Sequence, residues 1–153
     1  MGGFLSQDDF SKLVELAPIV TIDLIVRDAD GRVLLGLRTN RPAQSYWFTP
    51  GGRIRKSETL DVAFRRIAMK EIGRDLDRKG ARLRDVYDHF YDDSAIDGSD
   101  FGSRYVVLGY ELTIPALSLD DLPPDEHASW RWFALDELLR ADDVHDNVKG
   151  YFR

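Results

Sequence analysis

The side chains best suited to chemistry in this chain lie between residues 50 and 73. A turn at Gly51 and Gly52 leads into a basic loop and then into a predicted helix that carries Glu71 near its C-terminal end. The loop contributes three cations, Arg53, Arg55 and Lys56. Because glycine lets the backbone approach a ligand closely, this combination of cations, carboxylate and accessible backbone is what a metal–nucleotide site requires.

Two further charged side chains are candidates for such a site. Arg38 follows a predicted strand, where its planar fork suits phosphate recognition, although a solvated loop arginine fits the same pattern. Asp23 interrupts an apolar strand and shares its face with Thr21 and Ile25 by alternation. This carboxylate therefore lies either on a solvated side of the sheet or in a site.

The three histidines differ in their surroundings. His89 lies among aromatic residues in a predicted strand, which favours a structural or substrate-contacting role. His145 is expected at the surface or at a helix cap. His127 follows Glu126 in a predicted loop, and its surroundings alone indicate an ordinary loop histidine.

Helical periodicity and turn residues predict the elements that hold these groups. A first helix begins after an N-cap at Ser6 and ends before Pro18, and a second spans residues 59–72 with Ser57 as its N-cap. Leu60, Phe64 and Ile67 form the expected core stripe of the second helix. Further helical turns are expected from Leu135 and over residues 144–152. Strands are predicted over residues 19–27, 32–37, 45–48, 82–91, 104–114 and 130–133.

Length and charge restrict the class of protein. A chain of 153 residues favours one domain over residues 1–153, and the formal net charge of −6 argues against binding to nucleic acid or anionic membranes. No apolar run is long enough to span a membrane, and no signal peptide or cysteine is present. We therefore expect a cytoplasmic protein.

The central stretch resembles the Nudix box, G-x5-E-x7-R-E-U-x-E-E-x-G-U, in which U is a bulky apolar residue. Five positions match: Gly52, Glu58, Arg66, Glu71 and Gly73. Three positions depart: Ile67 and Lys70 replace glutamates, and Arg74 replaces the last apolar residue. With residues 38–44, 46–53, 58–60, 89–93 and 105–109, these departures make the chain similar to the GDP-mannose mannosyl hydrolase branch of the family.

The resemblance implies an α/β fold, a Nudix α/β/α sandwich with a mixed β-sheet. It also implies a homodimer that binds one Mg²⁺ per subunit and hydrolyses a nucleotide-sugar, GDP-mannose, to GDP and mannose. In that branch water attacks C1 of the sugar with inversion, whereas most Nudix enzymes direct water to phosphorus.

The same resemblance assigns roles to residues. The Gly51 carbonyl, Glu71 and Glu126 match metal ligands, with Glu126 standing where the branch has glutamine. His127 matches the catalytic histidine, and Arg38 and Arg53 are expected to neutralise the diphosphate. Substrate contacts are expected from Tyr105, from an N-terminal segment comprising Phe4, Leu5 and Phe10, and from Asp23, which is also expected to act in catalysis by orienting the arginines at the leaving diphosphate. From the residues alone, Phe4 and Leu5 could pack within the chain, meet a partner subunit or stack on a base, and intrachain packing is favoured.

Other functions remain open at this point. One is a conventional Nudix pyrophosphohydrolase that attacks phosphorus of a nucleoside diphosphate derivative. Another is a non-catalytic module that binds a nucleotide-sugar. A third is a preference for another GDP-sugar, such as GDP-glucose or GDP-fucose.

Overall fold

The computed structural model describes residues 4–96, 98–123 and 127–153, and for His127 and Ala128 it describes the backbone alone. The helices are α1 (Gln7–Leu16), α2 (Leu60–Ile72), α3 (Leu135–Arg140) and α4 (Asp146–Lys149), and the chain ends in a 3-10 turn, Gly150–Phe152. The strands are β1 (Ile19–Arg27), β2 (Val33–Arg38), β3 (Trp47–Phe48), β4 (Gly51–Arg53), β5 (Arg82–Tyr91), β6 (Ser103–Thr113) and β7 (His127–Phe133).

Strand β1 is the centre of a mixed sheet. It pairs in parallel with β6 along its whole length and antiparallel with β4 over Thr21 to Asp23. Its last residue, Arg27, pairs with β2, which in turn pairs antiparallel with β3 and β7. Strand β5 pairs antiparallel with β6 at the edge of the path. The predicted α/β class with a mixed sheet is confirmed.

Alternation along β1 sends its side chains into two separate cores. Ile22, Leu24 and Val26 pack with α2 on one face, in a cluster with Phe64 and Ile67. The opposite face carries Ile19, Thr21, Asp23 and Ile25. The C-terminal turn covers one end of this second face, where Ile25, Val107 and Tyr151 pack together. The other end of the second face stays accessible and forms the wall of a cavity.

Two details of α2 correct the sequence-based prediction. The N-cap is Thr59, whose hydroxyl accepts a hydrogen bond from the Val62 amide at 3.2 Å, so the prediction of Ser57 was wrong. Leu60 is 38% exposed and does not belong to the core stripe, because it lies in the first turn. The predicted stop at Gly73 is confirmed, since Gly73 adopts a left-handed conformation with φ of 68°.

Within the part of the chain that the structure describes, no helix is both long and apolar enough to cross a membrane.

Candidate functional site

A cavity of about 420 Å³ opens on the Asp23 face of β1. Its floor is formed by the sheet, and its rim is formed by the β4 loop, α2 and the segment before α1. Among the described residues, five cations line it: Arg38, Arg53, Arg55, Arg66 and Lys70. Two described carboxylates, Asp23 and Glu71, also line it. The cavity is therefore cationic overall, although the whole chain is acidic.

Gly51 and Gly52 lie in β4 and not in the predicted turn, and they let this strand approach the floor of the cavity. A Cβ atom at Gly51 would lie 2.3 Å from Asp23 Oδ1 and 2.7 Å from the Ile22 carbonyl oxygen, which leaves no space for a side chain. A Cβ atom at Gly52 would lie 3.1 Å from the Ile67 side chain. Gly51 and Asp23 are thus in direct contact across the β1–β4 pair.

The antiparallel ladder also orients the Gly51 carbonyl. The Leu24 amide donates to the Pro50 carbonyl at 2.8 Å, and the Ile54 amide donates to the Val20 carbonyl at 2.9 Å. Since carbonyls alternate along an antiparallel strand, those of Gly51 and Arg53 point away from β1. Arg66 on α2 donates to the Arg53 carbonyl at 2.7 Å, which fits this direction.

Glu71 lies at the end of α2 that faces the cavity. It is 6% exposed and lines the cavity together with Gly51 and Gly52. The described residues contain no group of three or more His, Cys, Asp or Glu that could hold a metal. A buried carboxylate and an outward-turned carbonyl are hard oxygen donors of the kind Mg²⁺ prefers, and Mg²⁺ commonly completes its shell with water and substrate phosphate.

Asp23 is held in the floor by two hydroxyl groups. Thr49 Oγ1 donates to Asp23 Oδ2 at 2.9 Å, and the Tyr151 hydroxyl donates to the same oxygen at 2.5 Å. Burial raises the pKa of Asp23 from 3.8 to about 6, while the two hydroxyl groups and the charge of Arg38 act in the opposite direction. The carboxylate is 7% exposed, so the structure places it in the cavity wall and not on a solvated face.

The histidine and tyrosine side chains of the floor are uncharged near neutral pH. Burial lowers the pKa of His89 from 6.5 to about 4, and the nearby His145 acts in the same direction. Burial also raises the pKa of Tyr91 and of Tyr105 above their usual values. The rings that line this side of the cavity together with Asp23 are therefore neutral, in contrast to Arg38.

The basic loop is fixed by Glu58. Arg66 donates to both Glu58 oxygens, at 2.6 and 2.8 Å, and the Arg55 amide donates to Glu58 Oε1 at 2.8 Å. These bonds lower the pKa of Glu58. Burial lowers the pKa of Arg53, and the neighbouring cations Arg55 and Arg66 act in the same direction. The first glutamate of the motif thus positions the cationic loop.

The segment before α1 lies against this loop. The guanidinium of Arg55 is 4.4 Å from the centroid of the Phe4 ring, and that of Arg53 is 5.7 Å from the Phe10 ring. Phe4 is 87% exposed, and it lines the cavity together with Leu5. The segment therefore presents apolar surface beside the cationic rim.

Most residues singled out from the sequence meet at this cavity. The lining includes Phe4, Leu5, Phe10, Asp23, Arg38, Gly51, Arg53, Glu71 and Tyr105. Glu126 lies outside the described residues. The prediction of a loop at His127 was wrong, because this residue opens β7. It pairs with Arg38 in the β2–β7 ladder, so its backbone is adjacent to the site.

Sequence reasoning missed Thr49 and Tyr151 as partners of Asp23. Thr49 lies next to the Pro50 turn, which was the available signal, whereas nothing in the sequence links Tyr151 to a residue 128 positions earlier. His145 lies outside this cavity and caps α4, where its Nδ1 atom accepts from the Asn147 amide at 3.0 Å.

Comparisons with known proteins place the chain among relatives. A family model described as NUDIX domain matches residues 17–152. The low-salt glycan biosynthesis protein Agl8 of Haloferax volcanii is 39% identical over 110 residues, which cover 72% of this chain and 68% of that protein. An RNA pyrophosphohydrolase of Rickettsia bellii is 28% identical over 124 residues, which cover 77% of this chain and 76% of that protein.

A solved structure gives the same relationship in three dimensions. The crystal structure of a MutT NUDIX hydrolase from Burkholderia pseudomallei aligns with a TM-score of 0.65 at 28% sequence identity. The alignment covers 88% of this chain and 95% of that one.

Proposed function

The chain belongs to the Nudix family, and on this premise we propose that it is a Mg²⁺-dependent hydrolase of GDP-mannose that directs water to C1 of the sugar. The products would be GDP and mannose, with inversion at C1. The observation that carries the proposal is the cavity-facing end of α2. Its described residues offer the cavity one carboxylate, Glu71, beside Ile67 and Lys70.

The metal requirement follows from the family. Nudix hydrolases generally use a divalent metal such as Mg²⁺, and the donor set here fits one ion with few protein ligands. Glu71 and the Gly51 carbonyl would hold it, with Glu126 as the third ligand. Such an ion supplies positive charge to the diphosphate when it is bound.

The distribution of charge separates the cavity into two parts. The cationic rim suits a diphosphate, whereas the floor presents the buried carboxylate of Asp23, which feels the charge of Arg38 and otherwise shares the floor with neutral rings. A carboxylate repels phosphate but stabilises positive charge that develops at a sugar C1 atom. This arrangement supports a substrate whose diphosphate meets the rim and whose sugar meets the floor.

The bond changes at C1 are simple. The water oxygen forms a bond to C1 while the bond from C1 to the β-phosphate oxygen breaks, and GDP leaves as an anion. Arg38 and Arg53 are placed to offset the charge that builds on the leaving diphosphate. His127 would remove the proton of the attacking water, and the pairing of its backbone with Arg38 supports this role.

The nucleobase would lie along the N-terminal segment. Phe4, Leu5 and Phe10 present apolar surface next to Arg53 and Arg55, and a purine stacks favourably on such surfaces. Tyr105 also lines the cavity, and its hydroxyl would contact a phosphate or a sugar.

A hydrolysis in ¹⁸O-labelled water tests the proposal. After incubation with GDP-mannose and Mg²⁺, mass spectrometry should find the label in mannose and GDP as the unlabelled product. Label in a phosphate, with GMP and mannose 1-phosphate as products, would contradict the proposal.

That second outcome would support a conventional pyrophosphohydrolase. The relative named RNA pyrophosphohydrolase favours this alternative, whereas the name of the Haloferax relative concerns glycans and fits a sugar substrate. Binding of GDP-mannose without Mg²⁺-dependent turnover would instead indicate a non-catalytic nucleotide-sugar module. Faster turnover of GDP-glucose or GDP-fucose than of GDP-mannose would show that another GDP-sugar is the preferred substrate.

We further propose a homodimer. Strand β5 lies at the edge of the sheet path, and its outer face exposes Val86 and Phe90, which is a surface suited to a second copy. Light scattering of the purified protein should give twice the mass of 17.5 kDa, and a monomer mass would exclude the homodimer.

A further inference from the structure

The last turn of the chain reaches the floor of the cavity. Tyr151 is 1% exposed and donates its hydroxyl to Asp23 Oδ2 at 2.5 Å. Thr49 donates to the same oxygen at 2.9 Å. Two hydroxyl groups from different parts of the chain therefore converge on one carboxylate oxygen.

The second carboxylate oxygen is confined by backbone. Asp23 Oδ1 lies so close to Gly51 that a Cβ atom there would be 2.3 Å away. The terminal torsion of aspartate is intrinsically broad, so a free carboxylate would sample many orientations. Here the donors on Oδ2 and the backbone beside Oδ1 restrict that rotation.

The Tyr151 ring has its own packing, independent of Asp23. Its centroid is 4.7 Å from the Tyr87 ring and 5.6 Å from the His89 ring, and it packs against Ile25 and Val107. Removing the hydroxyl alone therefore leaves the ring in place. The hydroxyl can be tested separately from the packing of the C-terminal turn.

We propose that Tyr151 is a positioning residue for hydrolysis, acting through Asp23. Its hydroxyl, together with that of Thr49, holds the carboxylate in the orientation that faces the sugar end of the substrate. The inference rests on the proposed function, in which Asp23 stabilises charge at the reacting carbon. A misplaced catalytic group typically lowers the rate on the order of 10²-fold even when binding is unaffected.

The experiment compares Tyr151→Phe, Asp23→Ala and the double variant in kcat, KM and affinity for GDP. We expect Tyr151→Phe to lower kcat by roughly 10–100-fold, because supporting hydrogen bonds of functional groups typically have effects of that size. The affinity for GDP should change less than about twofold, since GDP is bound at the rim. In the Asp23→Ala background, Tyr151→Phe should cause no further loss, because its target is gone.

The matched control is Tyr110→Phe. Tyr110 is also buried, but its hydroxyl interacts with Arg78 on the α2 side of the sheet, away from the cavity. This variant should retain the kcat of the unaltered protein. Thr49→Ser keeps a hydroxyl group and should also retain most of kcat, whereas Thr49→Val should not.

Two results would overturn the inference. One is a Tyr151→Phe variant with kcat within twofold of the unaltered protein. The other is a double variant in which the two losses multiply, which would mean that Tyr151 acts independently of Asp23. If labelled water shows attack at phosphorus, the proposed function fails, yet the same double-variant comparison on that reaction still decides the role of Tyr151. A protein without turnover would overturn both.

Discussion

Asp23 combines a proposed role in the site with an energetic penalty for the fold. Its pKa rises from 3.8 to about 6 because burial disfavours the ionised form more than the hydroxyl donors stabilise it. Below pH 3.8 the carboxyl is protonated in both the folded and unfolded states and contributes nothing. Between the two values only the unfolded state ionises, so the free energy of unfolding falls as pH rises, and above about pH 6 the full penalty persists.

We therefore predict that Asp23→Asn stabilises the fold at pH 7.5 while it lowers activity. One pKa unit corresponds to about 1.4 kcal/mol, so the gain in free energy of unfolding is about 1–3 kcal/mol. Urea denaturation at pH 4, 5, 6 and 7.5 should show the difference between variant and unaltered protein growing up to pH 6 and then levelling. Asp142→Asn, at an exposed site, serves as the control and should show no such trend. If the free energies of unfolding of Asp23→Asn and the unaltered protein differed by the same amount at every pH, Asp23 would not have the raised pKa.

His127 carries the second prediction at this scale. His127→Gln should lower kcat by roughly 10²–10⁴-fold, the usual contribution of a positioned base, with little change in affinity for GDP. Single-turnover kinetics and calorimetric titration separate the two quantities. His145→Asn is the matched control, since asparagine also caps helices and residue 145 lies outside the cavity. Full activity of the His127 variant would show that His127 is not the general base.

For individual residues, the sequence predicted which side chains line the cavity better than it predicted their hydrogen-bond partners. Glu71 was identified from the spacing of the motif, Arg38 from its place after a strand and Arg53 from its place after the two glycines, and all three line the cavity. The Tyr151 contact with Asp23 was missed because it depends on how the C-terminal turn packs across the sheet. Such long-range contacts have no local signal in a single sequence.

At the scale of elements, α2 is the one that brings Arg66, Lys70 and Glu71 to the cavity. Its C-terminal end was predicted correctly because a glycine with positive φ is a strong stop signal. Its N-terminal end was not, because Ser57 and Thr59 are both good caps and lie two residues apart. Only the hydrogen bond from the Val62 amide to Thr59 distinguishes them.

The choice of cap is testable. Thr59→Ala should lower the free energy of unfolding by about 1 kcal/mol, because an amide of the first turn loses its acceptor. Ser57→Ala should change it by less than about 0.5 kcal/mol, as expected of a surface position without such a bond. Chemical denaturation of the two variants side by side checks this. Equal effects would mean that residue 59 is not the cap.

At the scale of the whole molecule, the sheet topology assembles the site from distant segments. The parallel pairing of β1 with β6 brings Tyr105 beside Ile19, and the pairing of β2 with β7 brings His127 opposite Arg38. Most strands were predictable from their apolar patterns, although β4 was predicted as a turn. The pairings were not predictable, because many registers satisfy the same alternation. The expected topology of the sheet therefore came from the resemblance to a known family and not from the strand patterns.

The distribution of charge over the whole molecule explains how an acidic chain could bind an anion in one cavity. The net charge is −6, yet five cations of the described residues line one cavity, and charges that lie within a Debye length of a ligand dominate its binding. We predict that the Kd for GDP rises on the order of 10-fold between 50 and 500 mM NaCl, while the Kd for uncharged guanosine changes less than twofold. Calorimetric titration measures both.

Two variants with the same change in net charge separate the local field from the total charge. Arg55→Gln removes a cation from the rim and should weaken GDP binding and reduce its salt dependence. Arg140→Gln removes a highly exposed cation from α3, outside the cavity lining, and should leave both unchanged. If the two variants weakened GDP binding equally, the net charge and not the cavity would control the interaction, and the rim would lose its assignment as the diphosphate site.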